Sequence, residues 1–423
     1  MRIVIVGAGI AGLTTALSLH KAGFQPVVYE AAPSLAPLGV GLNLLPHAMR
    51  EMTELGLLDD LVEMGVSIDR LVYLTKYGRQ VWKEPRGRTA GYLWPQVAIH
   101  RGELQMLLLR KVRERLGEGS VRLGRALSGF ETRDDGATAR FEDRSGGDGG
   151  SEHVEADLLV GADGIHSAVR SQFYPDEGRP KWNGVTLWRS TSVTGPVLGG
   201  RSMIWAGHSR QKFVAYPIRY DPETGETLLN WICDLRDGEG DAPPREDWNK
   251  AGDRADFLPR FKTWKWPGID VETLVGASGP IYEFPMVDRD PLDRWTFGRT
   301  TLLGDAAHPM YPIGSNGATQ AILDARTLAY HLATAPGPIE ALNRYEADRR
   351  PATSRIVEMN RAHGPDQVLE LAESRAPSPE DDLDARLPLD ERKAIADSYK
   401  RVAGFDPATL NARASLDPPA SAD

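Results

Sequence analysis

The first thirty residues constrain the fold of this chain more than any other stretch. Residues 2–6 (RIVIV) form a short β-branched run, and the glycine-rich turn GAGIAG (residues 7–12) follows directly. An apolar-periodic segment then predicts a helix that ends near Gly23, and residues 26–29 predict a second strand that ends at Glu30. This order is typical of a dinucleotide site in a Rossmann-like α/β fold: a strand, a G-x-G-x-x-G turn, a helix, a second strand and an acidic residue.

Each glycine of the turn has a physical role in such a site. Gly7 permits the tight turn, Gly9 lets a pyrophosphate approach the backbone, and Gly12 lets the helix pack closely on the strand. The free N–H groups at the helix N-terminus face an anion. Glu30 is placed to accept hydrogen bonds from a ribose diol. The alternative is a glycine-rich turn that only packs.

Two later stretches repeat the pattern of a buried strand followed by a Gly/Asp turn. The first is LLVGADGIHSAVR (residues 158–170), and the second is TTLLGDAAHP (residues 300–309). The loop MYPIGSNG (residues 310–317) then leads into a helix with one apolar stripe, whose N-terminus is another site for an anion or a carbonyl oxygen. The following helix is predicted to break at Pro351.

The chain between these motifs has a different character. Alternating runs and tryptophans between residues 184 and 284 predict an antiparallel sheet with one aromatic face, read as a substrate domain. The predicted domains are a discontinuous nucleotide-binding domain, an inserted β-sheet domain and a helical or disordered C-terminal tail. Their ranges are 1–72, 97–180 and 285–365 for the first, 73–96 and 181–284 for the second, and 366–423 for the third.

Composition excludes several partners and sites. The formal net charge is −9, which argues against nucleic acid or an anionic membrane as a partner. The single cysteine, Cys233, permits no intramolecular disulfide and no cysteine cluster for a metal, and is expected to be a small buried hydrophobe. No apolar stretch approaches the length of a membrane span and no signal peptide is recognisable, so a cytoplasmic monomer or homodimer is expected.

The three motifs together carry a resemblance. The chain resembles the FAD-dependent aromatic hydroxylases, the single-component flavoprotein monooxygenases of the para-hydroxybenzoate and salicylate hydroxylase type. The resemblance covers about residues 1–365 and rests on three motifs in this order: GAGIAG with Glu30, GADG, and GDAAHP. Within that family, segments such as LGVGLN, IHRGELQM and FPMVDRDPL are similar to hydroxylases of phenazines such as 5-methylphenazine-1-carboxylate. The resemblance implies a glutathione-reductase-type FAD-binding domain.

The resemblance also implies cofactor contacts, residue by residue. The glycine-rich turn would bind the FAD pyrophosphate, Glu30 the adenosine ribose, and the GADG turn both FAD and NAD(P)H. The remaining residues would contact the phosphates, the ribityl chain or the isoalloxazine ring. The implied FAD-binding residues are Gly7, Gly9, Ala11, Gly12, Glu30, Gly41, Leu42, Arg101, Gln105, Asp163, Gly164, Asp305, Pro312, Gly317 and Ala318. One departure is that many relatives have G-Q-G where this chain has GSNG (residues 314–317).

The implied activity is NAD(P)H-dependent hydroxylation of an electron-rich aromatic or N-heteroaromatic, phenazine-like substrate by O2 through a flavin C4a-hydroperoxide. Such chemistry needs a dry pocket, for which the aromatic sheet and the apolar loop 38–45 are the predicted walls. A decarboxylating hydroxylase of a salicylate-like acid is one alternative. A non-catalytic flavin-fold binding protein and a halogenase, suggested by residues 264–266 (WKW), are the others. The sequence does not choose NADH over NADPH.

Substrate-side residues come from the inserted sheet. Tyr216 could hydrogen-bond or deprotonate a phenolic oxygen, Arg189 could contact a carboxylate, and Trp205 could contact an aromatic face. The alternatives are a sheet tyrosine with a satisfied hydroxyl and a strand arginine that points to solvent. His308 is expected to be structural.

Overall fold

The computed structural model describes residues 1–146, 150–236, 238, 250–402 and 406–418. The first strands are β1 (Ile3–Val6), β2 (Val27–Tyr29), β3 (Gly41–Leu44), β4 (Val66–Ile68), β5 (Arg70–Leu74), β6 (Gln80–Pro85), β7 (Gln96–His100), β8 (Val121–Arg122), β9 (Arg125–Thr132), β10 (Ala137–Asp143) and β11 (Ser151–Ala156). The later strands are β12 (Leu158–Gly161), β13 (Lys181–Thr194), β14 (Ser202–His208), β15 (Gln211–Tyr220), β16 (Thr227–Arg236), β17 (Lys265–Trp266), β18 (Ile269–Asp270), β19 (Tyr282–Asp288), β20 (Thr296–Phe297) and β21 (Thr300–Leu302).

The helices connect and cover these strands. They are α1 (Ile10–Lys21), α2 (Pro46–Glu54), α3 (Leu58–Met64), α4 (Arg101–Leu116), α5 (Ala168–Phe173), α6 (Arg254–Phe261), α7 (Val271–Gly276), α8 (Gly317–Thr334), α9 (Pro338–Arg361), α10 (Gln367–Arg375), α11 (Leu383–Arg386), α12 (Leu389–Val402) and α13 (Pro407–Ala412). No helix in the described ranges is both long and apolar enough to cross a bilayer.

The central sheet has the strand order β20-β21-β12-β1-β2-β8. Neighbouring strands from β21 to β8 are parallel, and β20 adds an antiparallel edge. Strands β1 and β12 are buried along their whole length, and their sequences are accordingly apolar without a break. Helix α1 packs on β1, and strand β10 packs on β12. The sheet confirms the predicted α/β class. Strands β1, β12 and β21, which precede the three sequence motifs, run parallel, so their carboxyl ends lie side by side along one edge of the sheet.

A seven-stranded sheet, in the order β19-β13-β16-β15-β14-β5-β6, forms the second layer. It is antiparallel as predicted, except that β5 runs parallel to β14. The predicted domain boundaries at residues 72/73 and 284/285 fall inside β5 and β19, so both strands span them. Strands β9, β10 and β11 form a separate three-stranded antiparallel meander.

The aromatic face of this sheet does not line the cavity described below, and in this respect the prediction is wrong. Four tryptophans pack in a closed cluster with Phe257 and Phe261 of α6. Strand residues alternate between faces, so neighbours such as Ile232 point to the opposite side. The clustered tryptophans are Trp188, Trp231, Trp264 and Trp266. Trp205 lies on the opposite face, and Trp248 falls outside the described residues. Cys233 is fully buried in the same cluster, as expected.

Two other predictions of local structure are corrected. Residues 41–44, read as part of a loop, form strand β3, which pairs with β7. Helix α9 continues through Pro351 rather than breaking there. Tyr345 before the proline and Ile356 after it are both buried, so tertiary packing holds the two halves in line.

The C-terminal residues are ordered further than predicted. Tyr399 of α12 donates its hydroxyl to Asn360 and accepts a hydrogen bond from Asn316 at 2.7 Å. Asp417 pairs with Arg326 of α8 and with Lys21. The segment that reads as disordered therefore packs onto the nucleotide-binding side up to residue 418, and the last five residues lie outside the described range.

Candidate active site

The three sequence motifs meet at one edge of the central sheet. In the strand register Val6 is opposite Gly161, and Gly161 is opposite Leu302, so the turns that follow these residues lie side by side. The buried guanidinium of Arg170 joins two of them, because it follows the GADG turn and donates to the carbonyls of Ala306 and Ala307 in the GDAAHP turn at 3.1 and 2.9 Å.

A cavity of about 730 Å³ lies over this edge and extends to the seven-stranded sheet. It is lined by all but one of the residues that the sequence assigned to cofactor or substrate. The lining residues among them are Gly7, Gly9, Ala11, Glu30, Gly41, Leu42, Arg101, Gln105, Asp163, Gly164, Arg189, Trp205, Tyr216, Asp305, Pro312, Gly317 and Ala318.

Gly12 is the exception and does not contact the cavity. A Cβ at this position would lie 1.9 Å from the Gly7 carbonyl oxygen, so Gly12 permits helix α1 to pack on the turn. The packing role that the sequence predicted for Gly12 is the one that the structure shows, and its contact with a cofactor stays a prediction.

The glycine-rich turn is open toward the cavity and is braced by side chains from two other segments. A Cβ at Gly9 would meet no atom within 4 Å, so the backbone there is open to an incoming group. The Glu30 carboxylate accepts hydrogen bonds from the Ala8 and Ala32 N–H groups at 2.7 and 2.8 Å. Gln105 donates to the Ala8 carbonyl at 2.8 Å. The acid and the amide thus fix the turn, while the N-terminus of α1 faces the cavity.

Opposite charges flank the middle of the cavity. Arg101 is exposed to the cavity, but the protein atoms around it still lower the pKa of its guanidinium. Asp305 opposes this shift, and Arg189 adds to it. The surrounding protein raises the pKa of Asp305, while His308 and Arg101 lower it. A cation short of compensating charge at this position favours a bound anion such as a cofactor phosphate.

Asp163 lies in the cavity wall, but its carboxylate is engaged within the protein. It accepts the Ser167 hydroxyl at 2.5 Å and the Ala168 N–H at 2.7 Å, at the start of α5. The resemblance implied that the turn with Asp163 binds FAD and NAD(P)H, and the contacts that the carboxylate makes here fix this turn and the helix that follows. Gly164 (φ 79°) occupies the left-handed region that this turn requires.

The GDAAHP turn rests on a buried ionic network that the sequence did not predict. The Asp324 carboxylate accepts from the Gly304 N–H at 3.1 Å, the Arg349 Nε at 2.7 Å, and contacts the His308 Nε2 at 2.5 Å. His308 is therefore structural, as expected. The other two members of the network, Asp324 and Arg349, come from α8 and α9, and only the polar residues within the otherwise apolar stripe of α8 indicate them in the sequence.

The N-terminus of α8 closes one side of the cavity with Gly317 and Ala318. The preceding GSNG loop is braced from behind by α12, because a Cβ on Gly314 would lie 2.1 Å from the Tyr399 hydroxyl. Asn316 also bonds that hydroxyl. Ser315 of this loop has a positive φ of 59°, and the hydroxyl of Tyr399 holds the loop through Asn316.

Two of the three predicted substrate-side residues contact Gly41, and the third, Trp205, lines the cavity wall. Arg189 and Tyr216 both donate to the Gly41 carbonyl, at 2.8 and 2.9 Å, and the Asn230 side chain accepts the Gly41 N–H at 2.8 Å. A Cβ on Gly41 would lie 2.8 Å from Asn230 and from Ile218. Tyr216 is thus a sheet tyrosine with a satisfied hydroxyl, and Arg189 points inward rather than to solvent.

We expect Tyr216→Phe to lower kcat by less than about tenfold, because the change removes one neutral hydrogen bond and no catalytic base. Burial raises the pKa of Tyr216, Arg189 opposes this, and the raised value keeps the phenol protonated at neutral pH. The pH profile of kcat should therefore have the same limbs in both proteins. Loss of a limb in the variant would instead identify Tyr216 as the base.

Comparisons with known proteins agree with this geometry. A family described as FAD binding domain matches residues 1–360. Phenazine 1,6-dicarboxylic acid hydroxylase PhzS of Lysobacter antibioticus is 46% identical over 89% of this chain and 93% of that protein. The 3-hydroxybenzoate 6-hydroxylase 1 of Aquipseudomonas alcaligenes is 31% identical over 84% of this chain and 86% of that protein.

Solved structures share the fold. Klebsiella pneumoniae HpxO complexed with FAD and uric acid aligns with a TM-score of 0.74 at 24% identity, covering 95% of this chain and 96% of that one. A salicylate hydroxylase substrate complex aligns with a TM-score of 0.73 at 22% identity, covering 98% and 99%. The chain belongs to the FAD binding domain family and is an FAD-dependent monooxygenase of the aromatic hydroxylase type.

Proposed function

We propose that this enzyme uses NADH or NADPH and O2 to hydroxylate an electron-rich aromatic or N-heteroaromatic, phenazine-like substrate. The observation that carries the proposal is a single cavity that joins the dinucleotide turn to an apolar chamber on the inserted sheet. The 46% identity to a phenazine 1,6-dicarboxylic acid hydroxylase over most of both chains supports this substrate class.

The residues present fit FAD. The open backbone at Gly9 and the α1 N-terminus would hold the pyrophosphate, Glu30 the ribose, and Arg101 the phosphates. The α8 N-terminus would stabilise negative charge on the reduced ring. When bound, FAD supplies hydride acceptance from the nicotinamide and oxygen activation, while the protein supplies position and electrostatics.

The walls of the chamber exclude water. Apolar side chains from five strands of the inserted sheet line the chamber, on the face opposite the tryptophan cluster. Excluding water protects a reactive oxygenating species and strengthens each polar contact. The chamber residues are Leu187, Met203, Trp205, Val214, Ile232 and Met286.

The test is oxidation of NADH and of NADPH by the FAD-loaded enzyme against a panel of phenazines, hydroxybenzoates and hydroxypyridines. We expect at least one phenazine-like compound to accelerate oxidation by about tenfold or more, with a product one oxygen atom heavier. A panel in which no compound changes the rate and none gains oxygen would contradict the proposal.

A further inference from the structure

One end of the cavity carries a buried ionic cluster that the roles above leave unused. The ammonium of Lys212 lies 2.6 Å from Asp366 Oδ2 and 3.3 Å from Asp234 Oδ2. All three residues line the cavity and are 8%, 5% and 4% exposed, in that order. They come from β15, β16 and the turn after α9, so the cluster forms only in the folded chain.

Each aspartate of the cluster keeps one oxygen free. The Oδ1 atoms of Asp234 and Asp366 are buried and have no hydrogen-bond partner among the residues that the structure describes. Burial raises the pKa of Asp234, and Lys212 lowers it in opposition. Two carboxylates share one ammonium, so the cluster has acceptor capacity and negative charge to spare.

The strand register sets this cluster against the rest of the chamber. Along β15, Tyr216, Val214 and Lys212 face the cavity in turn, opposite Asn230, Ile232 and Asp234 of β16. The chamber is therefore polar near Gly41, apolar in the middle and ionic at the far end. Four residues of strand separate Tyr216 from Lys212, about 14 Å at ~3.4 Å per residue. This spacing suits an extended, flat ring system better than a single benzene ring.

We propose that the free oxygens of Asp234 and Asp366 bind a hydrogen-bond-donating group, such as an amino or hydroxyl substituent, at the end of the substrate remote from Gly41. The cluster thereby selects aromatic substrates that carry a donor at that end and disfavours those that carry a carboxylate at the same end. This inference rests on the proposed function, because it names the substrate class of the same chamber.

A merely structural ion cluster would make no such selection. Removing one carboxylate from a buried pair would then change stability alone and leave the ranking of ligands as it was. A recognition site changes the ranking, because a buried acceptor discriminates strongly between ligands that do and do not satisfy it.

The test measures calorimetric affinities of the FAD-loaded enzyme for 2-aminophenazine, phenazine and phenazine-2-carboxylate. The wild type should bind the amine about tenfold more tightly than phenazine, and the carboxylate least well. In Asp234→Asn and Asp366→Asn, we expect the amide oxygen of the new asparagine to accept a hydrogen bond from Lys212. Its NH2 group, a donor, then faces the cavity in place of the carboxylate oxygen. The preference for the amine should then fall below about threefold, and the carboxylate should gain.

Glu373→Gln is the matched control, because Glu373 pairs with Lys76 at 2.6 Å outside the cavity, and it should keep the wild-type ranking. If the aspartate variants fail to fold, the wild-type ranking alone decides. Equal affinities for the three probes, or tightest binding of the carboxylate, would overturn the inference and leave the proposed function standing. No binding of any probe to the wild type would overturn both.

Discussion

Gly9→Val should produce a folded protein that has lost FAD. The Gly9 backbone is extended at φ −71°, which any residue adopts, and its missing Cβ faces open space in the cavity. The valine side chain would occupy the place of the pyrophosphate. We expect FAD affinity to fall by roughly 100-fold, about 3 kcal/mol, measured by titrating apoprotein with FAD.

Gly12→Val is the matched control at the other end of the same turn. Its Cβ would lie 1.9 Å from a backbone oxygen that cannot move aside, so the helix must shift from the strand. We expect a loss of more than about 3 kcal/mol in the free energy of unfolding, seen as a lowered melting temperature or insoluble protein. If the Gly9→Val protein bound FAD with wild-type affinity, the FAD pyrophosphate could not bind at this turn.

Asp324→Asn should cost about 3–5 kcal/mol in the free energy of unfolding, because it leaves Arg349 buried without its counter-charge. Asp324 is fully buried, and the change also weakens the anchor of Gly304 in the GDAAHP turn. Chemical denaturation at neutral pH measures the cost. Asp348→Asn is the control, since it removes an Asp–His pair at the surface and should cost no more than about 1 kcal/mol.

The effect should depend on pH with a defined sign. Burial alone would raise the pKa of Asp324, but His308 and Arg349 outweigh it and hold the pKa below its ordinary value. A depressed pKa in the folded state stabilises the protein above the unfolded pKa, and this stabilisation disappears as the pH falls through the folded pKa. The difference between wild type and Asp324→Asn should therefore narrow in acid. If the difference in free energy of unfolding stayed constant as the pH fell, the charge of Asp324 could not be the cause of the stabilisation.

The fold was predictable where the sequence pattern is local. The motif strands and their glycine turns are contiguous, and parallel pairing then requires their ends to meet at one edge. The position of Gly9 in the open cavity and of Gly12 in the packing contact both follow from this. By contrast, the asymmetry between the two faces of the inserted sheet was not predictable. Strand alternation separates Trp231 from Ile232, but it does not show which face meets the cofactor domain.

The polar contacts of the site depend on residues far apart in the chain. Lys212 and Asp366 are 154 positions apart, and no local pattern joins them. The same holds for Tyr216 and the Gly41 carbonyl, 175 positions apart, which is why the satisfied hydroxyl stayed an open alternative in the sequence. Packing also overrode a local rule at Pro351, where both halves of α9 have buried faces.

The most direct test of the whole account is single-turnover reaction of the FAD-loaded enzyme with NADH or NADPH, isotopically labelled O2 and 2-aminophenazine or its relatives, followed by the product mass. We predict that a bound aromatic accelerates reduction of the bound FAD, and that the product carries one labelled oxygen atom. Protein that takes up no FAD, or that consumes NADH and NADPH without labelling any aromatic of the panel, would contradict the account.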